Sequence, residues 1–144
     1  MIDKNESLKL DNQLCFPLYT ASRLITQAYQ PMLKELDITY PQYLVLLVLW
    51  EKDEINLSTI AEKLQLKSNT LTPLLKRLEK RGLLERKRSA VDERNIVITL
   101  TQEGKKLKDK ACEIPSLLAN KVPLSAEETN QFYQLLNKLI EGIE

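Results

Sequence analysis

Two sulfur atoms carry most of the chemistry that this chain's side chains offer. The cysteines are Cys15 and Cys112, far apart in sequence, and the chain has no histidine. The commonest general base and the commonest metal ligand are therefore both missing. No CxxC pair or cysteine–histidine cluster is present to hold zinc or an iron–sulfur centre, so neither a metal nor another cofactor is expected. What remains is thiol chemistry: a thiolate attacks a peroxide, becomes a sulfenic acid, and condenses with a second thiol. Cys15 falls where a helix is expected to begin, and free amides together with the helix dipole favour an anion there. The bland alternative for either cysteine is a small buried hydrophobe.

The second chemical signal is charge. Net charge is only +1, but between Lys67 and Arg88 eight basic residues (Lys67, Lys76, Arg77, Lys80, Arg81, Arg86, Lys87, Arg88) stand against Glu79 and Glu85, a local excess of +6. Positive charge concentrated in one stretch of a nearly neutral chain is what phosphate binding requires, although a solvated helix face would look the same.

Something must position these groups, and the hydrophobic pattern says what. With 144 residues, 43% hydrophobic and 28% charged, the chain reads as one ordinary globular domain, and three glycines leave little room for phosphate-cradling loops. Leu10 to Leu36 reads as a long helix with Leu14, Leu18, Ala21, Ser22, Ile25 and Tyr29 on one side. Pro17 fits its first turn, and Pro31 is expected to kink or tighten its far end. Thr39-Tyr-Pro-Gln42 has the form of a capping box, opening a helix that is apolar nearly all round to Glu51. After an extended lead-in at Ile55–Leu57, Ser58 is expected to cap a short helix, and Ser68 a longer one to Arg81. On the longer helix Leu71, Leu74, Leu75 and Leu78 face inward. Gly82 suits the helix end, and 83–88 with 95–100 make a hairpin around a charged loop. Thr101 starts another helix that Pro115 should interrupt, and Ser125-Ala-Glu-Glu128 opens the last one, with Phe132, Leu135, Leu136, Leu139 and Ile140 on one face. No signal peptide is seen in residues 1–12, and the longest apolar run, Tyr43–Trp50, is too short for a bilayer. A cytoplasmic chain without membrane attachment is expected.

A short helix, a tight turn and a longer helix, followed by a basic hairpin, form the order of a winged helix-turn-helix. The fold class is mainly α with a small β-hairpin wing. Residues 58–100 are the DNA-binding part of the single domain 1–144. Ser68, Asn69, Thr70 and Thr72 open the recognition helix, where short polar side chains meet bases or phosphates. Lys76, Arg77 and Arg86 supply phosphate contacts. Asp92 and Arg94, two apart in the wing, suit an arginine in a narrow minor groove oriented by the carboxylate. Without that context they would be a surface ion pair.

Leu71-Thr-Pro-Leu-Leu-Lys-Arg-Leu-Glu79, Gly82-Leu83 and Asp92-Glu93-Arg94 resemble the MarR family of regulators. Gln13-Leu-Cys15-Phe16 with Thr39-Tyr-Pro-Gln-Tyr43 resembles its OhrR branch of organic-hydroperoxide-sensing repressors. The resemblance implies a homodimer held by helices in 10–36 and 101–144, bound to a pseudopalindromic operator in double-stranded DNA and induced by organic hydroperoxide at Cys15. It also implies that Tyr29 and Tyr40 of the opposite subunit hydrogen-bond the thiolate; otherwise they are ordinary core aromatics. Cys112 is a candidate resolving thiol. The other route, and the one favoured, is that a small cellular thiol resolves the sulfenate and Cys112 is a packed residue of its helix. The family often has glycine where this chain has Asn69, which bears on operator preference. Two other readings stand beside this one: release by a bound aromatic ligand, and a thiol peroxidase in which Cys15 attacks and Cys112 resolves.

Overall fold

The computed structural model describes residues 3–92 and 94–143, and the chain divides into two compact units, 1–114 and 115–144. In the first unit the order is α1 (Lys4–Ser7), a 3-10 turn (Leu10–Asn12), α2 (Cys15–Glu35), α3 (Tyr40–Glu51), β1 (Ile55–Asn56), α4 (Leu57–Leu64), α5 (Ser68–Lys80), β2 (Leu84–Arg88), β3 (Ile96–Leu100) and α6 (Gln102–Ala111). α7 (Ile114–Ala119) starts at the boundary, and α8 (Ala126–Gly142) lies in the second unit.

α3 is the centre of the first unit because it has no polar face. Val45, Leu46 and Leu49 are buried with Ile60 of α4, Leu71, Leu75 and Leu78 of α5, and Leu84 and Ile98 of the sheet. The capping box that opens α3 is formed: Gln42 N–H donates to Thr39 Oγ1, and Thr39 N–H to Gln42 Oε1.

Several helix ends differ from expectation, each for a local reason. α2 begins at Cys15 rather than Leu10. A helix running through Leu10 would need an amide at Pro17 to bond Gln13, and proline has none. Instead Gln13 turns extended and its side-chain amide donates to Ser7 O at 2.7 Å and Lys9 O at 2.8 Å. The far end of α2 is where it was expected: Pro31 lies inside the helix, which continues to Glu35. Ser58 and Ser68 are not caps: the N-cap positions fall at Asn56, two residues earlier, and at Lys67, one residue earlier, with no side-chain cap bond at either. At α5 the amides of Thr70 and Leu71 both donate to Lys67 O at 3.0 Å, so the backbone takes the role expected of a hydroxyl. α6 ends at Ala111, before Pro115, which instead lies in the first turn of α7.

The hairpin is present, and β1, expected only as an extended lead-in, pairs with it. The antiparallel order is β1-β3-β2, with Ile55 opposite Ile98 and Leu84 opposite Leu100. Gly82 has φ +77°, a left-handed turn that glycine enters at no steric cost. Asp53 fastens the sheet to the end of α3 by accepting from Leu100 N–H at 2.9 Å. In the second unit, Ser125 and Glu128 form the expected capping box of α8.

α6 is seated by a close approach. Thr101 Oγ1 donates to Gly82 O at 2.6 Å and accepts from Gly104 N–H at 3.1 Å, while Gly104 O accepts from Trp50 Nε1–H at 2.9 Å. A Cβ on Gly104 would overlap the Leu83 carbonyl oxygen, a backbone atom with little freedom to yield. Gly104→Ala is therefore expected to cost about 1–3 kcal/mol of stability by overpacking. Urea denaturation followed by Trp50 fluorescence checks this; an unchanged midpoint contradicts it.

Candidate functional site

The helix-turn-helix brings the expected groove-facing residues to one surface. Ser68, Asn69, Thr70, Lys76 and Arg77 are exposed on α5, opposite the buried Leu71, Leu75 and Leu78. Among the described residues neither Lys76 nor Arg77 enters an ion pair, so both remain open to an anion. Thr72 is half-buried, and its hydroxyl donates back to Ser68 O at 2.8 Å, a bond that threonine readily makes within a helix.

Arg86 has a different occupation from the phosphate contact expected of it. Its backbone N–H donates to Glu79 Oε2 at 2.9 Å, and its Nε and Nη2 both donate to Glu79 Oε1 at 3.2 Å. β2 is an edge strand, and this clamp covers one of its outward amides while tying the wing to the end of α5. The sequence signal was present: Glu79 is one of two acids in a basic window. The wing tip is shaped by Asp92, which accepts from Arg94 N–H at 3.0 Å and lies 3.6 Å from Arg94 Nε. The Arg94 side chain is 94% exposed, so the carboxylate orients the arginine without burying it. Glu93 lies outside the described residues.

Cys15 is the first residue of α2 and is exposed, between the largely exposed Leu14 and Phe16. Tyr29 and Tyr40 are brought together, with ring centroids 4.8 Å apart. Sequence reasoning missed the third ring, Tyr43, which lies 5.8 Å from Tyr29 and 6.3 Å from Tyr40; its three-residue offset from Tyr40 on α3 was the available signal. Burial, helped by Tyr40 and Tyr43, pushes the Tyr29 phenol up to about 12, and burial also raises Tyr40. Both phenols therefore keep their protons at neutral pH and have an O–H to offer as a donor. Fourteen residues of one regular helix separate Cys15 from Tyr29, about 21 Å at the rise of an α-helix. Cys112 is not packed: it is exposed at the end of α6, its Sγ donating to Asp109 O at 3.0 Å, while its neighbours Ala111 and Ile114 are buried.

No group of residues suited to a metal ion occurs among the described residues, and no described helix is long and apolar enough to cross a membrane.

Residues 27–111 match the family model of the SarA/Rot transcriptional regulators. The chain is 48% identical over 143 residues to the organic hydroperoxide resistance transcriptional regulator of Bacillus subtilis, covering 99% of this chain and 97% of that one. Reduced AbfR bound to DNA superposes with a TM-score of 0.81 at 43% identity, covering 97% of this chain and 98% of that one; AbfR is from Staphylococcus epidermidis. Overoxidised AbfR bound to DNA gives 0.80 at 42% identity, with coverage of 99% and 100%. Disulfide-formed AbfR gives 0.63 at 42% identity, with coverage of 96% and 97%. These relatives are regulators, a non-enzymatic class, which removes the thiol-peroxidase reading.

The Glu79–Arg86 clamp has a measurable consequence. The Arg86 amide holds the Glu79 carboxyl below the usual carboxylate range, opposed by desolvation and helped to a lesser degree by the guanidinium. Because the folded value is depressed, the stabilisation is present above the ordinary carboxylate value and is lost as pH falls through the lowered one. The carboxylate is partly exposed, so the clamp contributes less than about 1 kcal/mol. Glu79→Ala is expected to lower the hydrogen-exchange protection of the Arg86 amide up to about fivefold at neutral pH, and to abolish its fall at acid pH. Unchanged protection contradicts the clamp.

Proposed function

Because the chain belongs to the SarA/Rot family of transcriptional regulators, as a winged-helix member of MarR type in the organic-hydroperoxide branch, we propose that it is a cytoplasmic homodimeric repressor. Two copies of α5 enter successive major grooves of a pseudopalindromic operator, with Ser68, Asn69, Thr70 and Thr72 toward the bases. Lys76 and Arg77 meet phosphates, and Arg94, oriented by Asp92, enters the minor groove. Organic hydroperoxide ends this by oxidising Cys15.

One observation carries the reading. Tyr29 and Tyr40 form a protonated pair about 21 Å along α2 from the thiol of their own chain, so a second α2 laid antiparallel brings each Cys15 to the other chain's phenols. Uncovered apolar side chains support such a pairing: Leu14 is 80% exposed, Tyr19 67% and Leu24 53% on or beside α2. In the second unit Tyr133 and Leu135 on α8 are similarly open. Burying such groups favours association by about 25 cal/mol per Å².

The chemistry balances without a cofactor. The Cys15 thiolate attacks the terminal peroxide oxygen, the O–O bond breaks, and the leaving alkoxide takes a proton from water to become the alcohol; sulfur is oxidised to sulfenic acid and the peroxide reduced. A second thiol then condenses, forming an S–S bond and releasing water. That thiol is Cys112 or a small cellular thiol. Overoxidised AbfR is found on DNA, so we place release in this chain at the disulfide step, where the added bulk separates thiol from phenols and shifts α2. A preference of about 3–4 kcal/mol between the two states changes affinity several-hundred-fold.

The test uses a duplex selected in vitro with the reduced protein. Wild-type protein treated with cumene hydroperoxide and a small thiol is expected to lose it, and Cys15→Ser to retain it. Cys112→Ser that still releases only when the small thiol is present assigns the second thiol to the small molecule. Release of Cys15→Ser under the same treatment contradicts the proposal.

A further inference from the structure

The C-terminal ends of α2 and α5 are joined through one side chain. Each helix closes with the same backbone device. After α2, Asp37 N–H donates to Lys34 O at 3.0 Å and Ile38 N–H to Leu33 O at 3.1 Å; after α5, Gly82 N–H donates to Glu79 O at 2.9 Å and Leu83 N–H to Leu78 O at 3.0 Å. Both turns pass through a left-handed residue, Asp37 at φ +54° and Gly82 at φ +77°. Arg81, immediately before Gly82, reaches across the gap: Nη1 donates to Asp37 Oδ2 at 2.9 Å and Nη2 to Leu36 O at 3.1 Å. Leu36 O is among the terminal carbonyls that α2 itself leaves without a partner, at the negative end of its dipole. A planar guanidinium meets carbonyl and carboxylate at once; a lysine ammonium is a point charge and does not reproduce that fork.

We propose that Arg81 is a positioning residue whose fork on Asp37 and Leu36 carries a displacement of α2 to α5, coupling the state of Cys15 to DNA affinity. This rests on the redox reading above. Two further observations support it. Cys15 is the opposite end of the same 21-residue helix, which as a rigid rod moves at both ends. Tyr40, the phenol proposed to hold the partner's thiolate, lines the same open groove as Asp37 and Arg81. The pair is too exposed to be a major source of stability, with Asp37 at 82% and Arg81 at 37% side-chain exposure. Its loss therefore leaves the fold standing while removing the link.

The experiment compares wild type, Arg81→Lys and Asp37→Gly, glycine being suited to the left-handed backbone at that position. The Kd for the selected duplex is measured reduced and after cumene hydroperoxide with a small thiol, alongside Tm and dimerisation. The ratio of oxidised to reduced Kd is expected to shrink about three- to tenfold in both variants, with Tm and dimer content close to wild type. Asp37→Gly separates coupling from plain electrostatics: if the carboxylate acted only through its charge, losing it would strengthen DNA binding in both states alike and leave the ratio untouched. A wild-type ratio near one overturns the redox reading and the strut with it. A large wild-type ratio that persists in either variant overturns the strut alone.

Discussion

The length of one helix constrains everything else. α2 begins at the thiol, and its tyrosine lies four turns further on, so a single chain carries two halves of a sensor that its own geometry keeps apart. No rotamer change spans about 21 Å. In the proposed dimer a second copy completes the two halves, so that an event at sulfur would also be an event at the subunit interface. Pro17 matters here because it fixes where the helix starts and hence places Cys15 at its first position rather than a turn inside.

The helix-turn-helix is joined to the end of that helix by short, specific links. α5 is held from beneath by Leu71, Leu75 and Leu78, with no exposure at all. Its far end is tied twice, to β2 by Glu79 and Arg86 and to α2 by Arg81 and Asp37. β2, the end of α5 and the turn after α2 thus meet within a few residues of Gly82. Such links contribute little to stability individually, but they fix how these elements are directed.

Much of this was legible beforehand because it rests on local rules. The leucine stripe of α5, the capping boxes at Thr39 and Ser125, and the turn at Gly82 follow from periodicity and from which side chains satisfy helix-end amides. The thiol and its two tyrosines came from motif resemblance, and the ring pair is found in contact. The missed features are those fixed by tertiary partners. Periodicity shows that Arg86 is basic but not that Glu79 occupies it, and Cys112 looks packable until its neighbours prove to be the buried residues. Ser58 and Ser68 have the right chemistry for caps, yet the strand at Asn56 and the carbonyl of Lys67 start those helices two positions and one position sooner.

Mixed dimers test most directly whether the thiol site is built across two chains. One chain carries Cys15→Ser with both tyrosines intact; the other keeps Cys15 but carries Tyr29→Phe and Tyr40→Phe. The rate of Cys15 oxidation by cumene hydroperoxide, followed by mass spectrometry, should match wild type in the mixed dimer and fall in the homodimer of the phenylalanine chain. Equal, lowered rates in both would mean that each thiol relies on its own chain's phenols, and the account would be wrong.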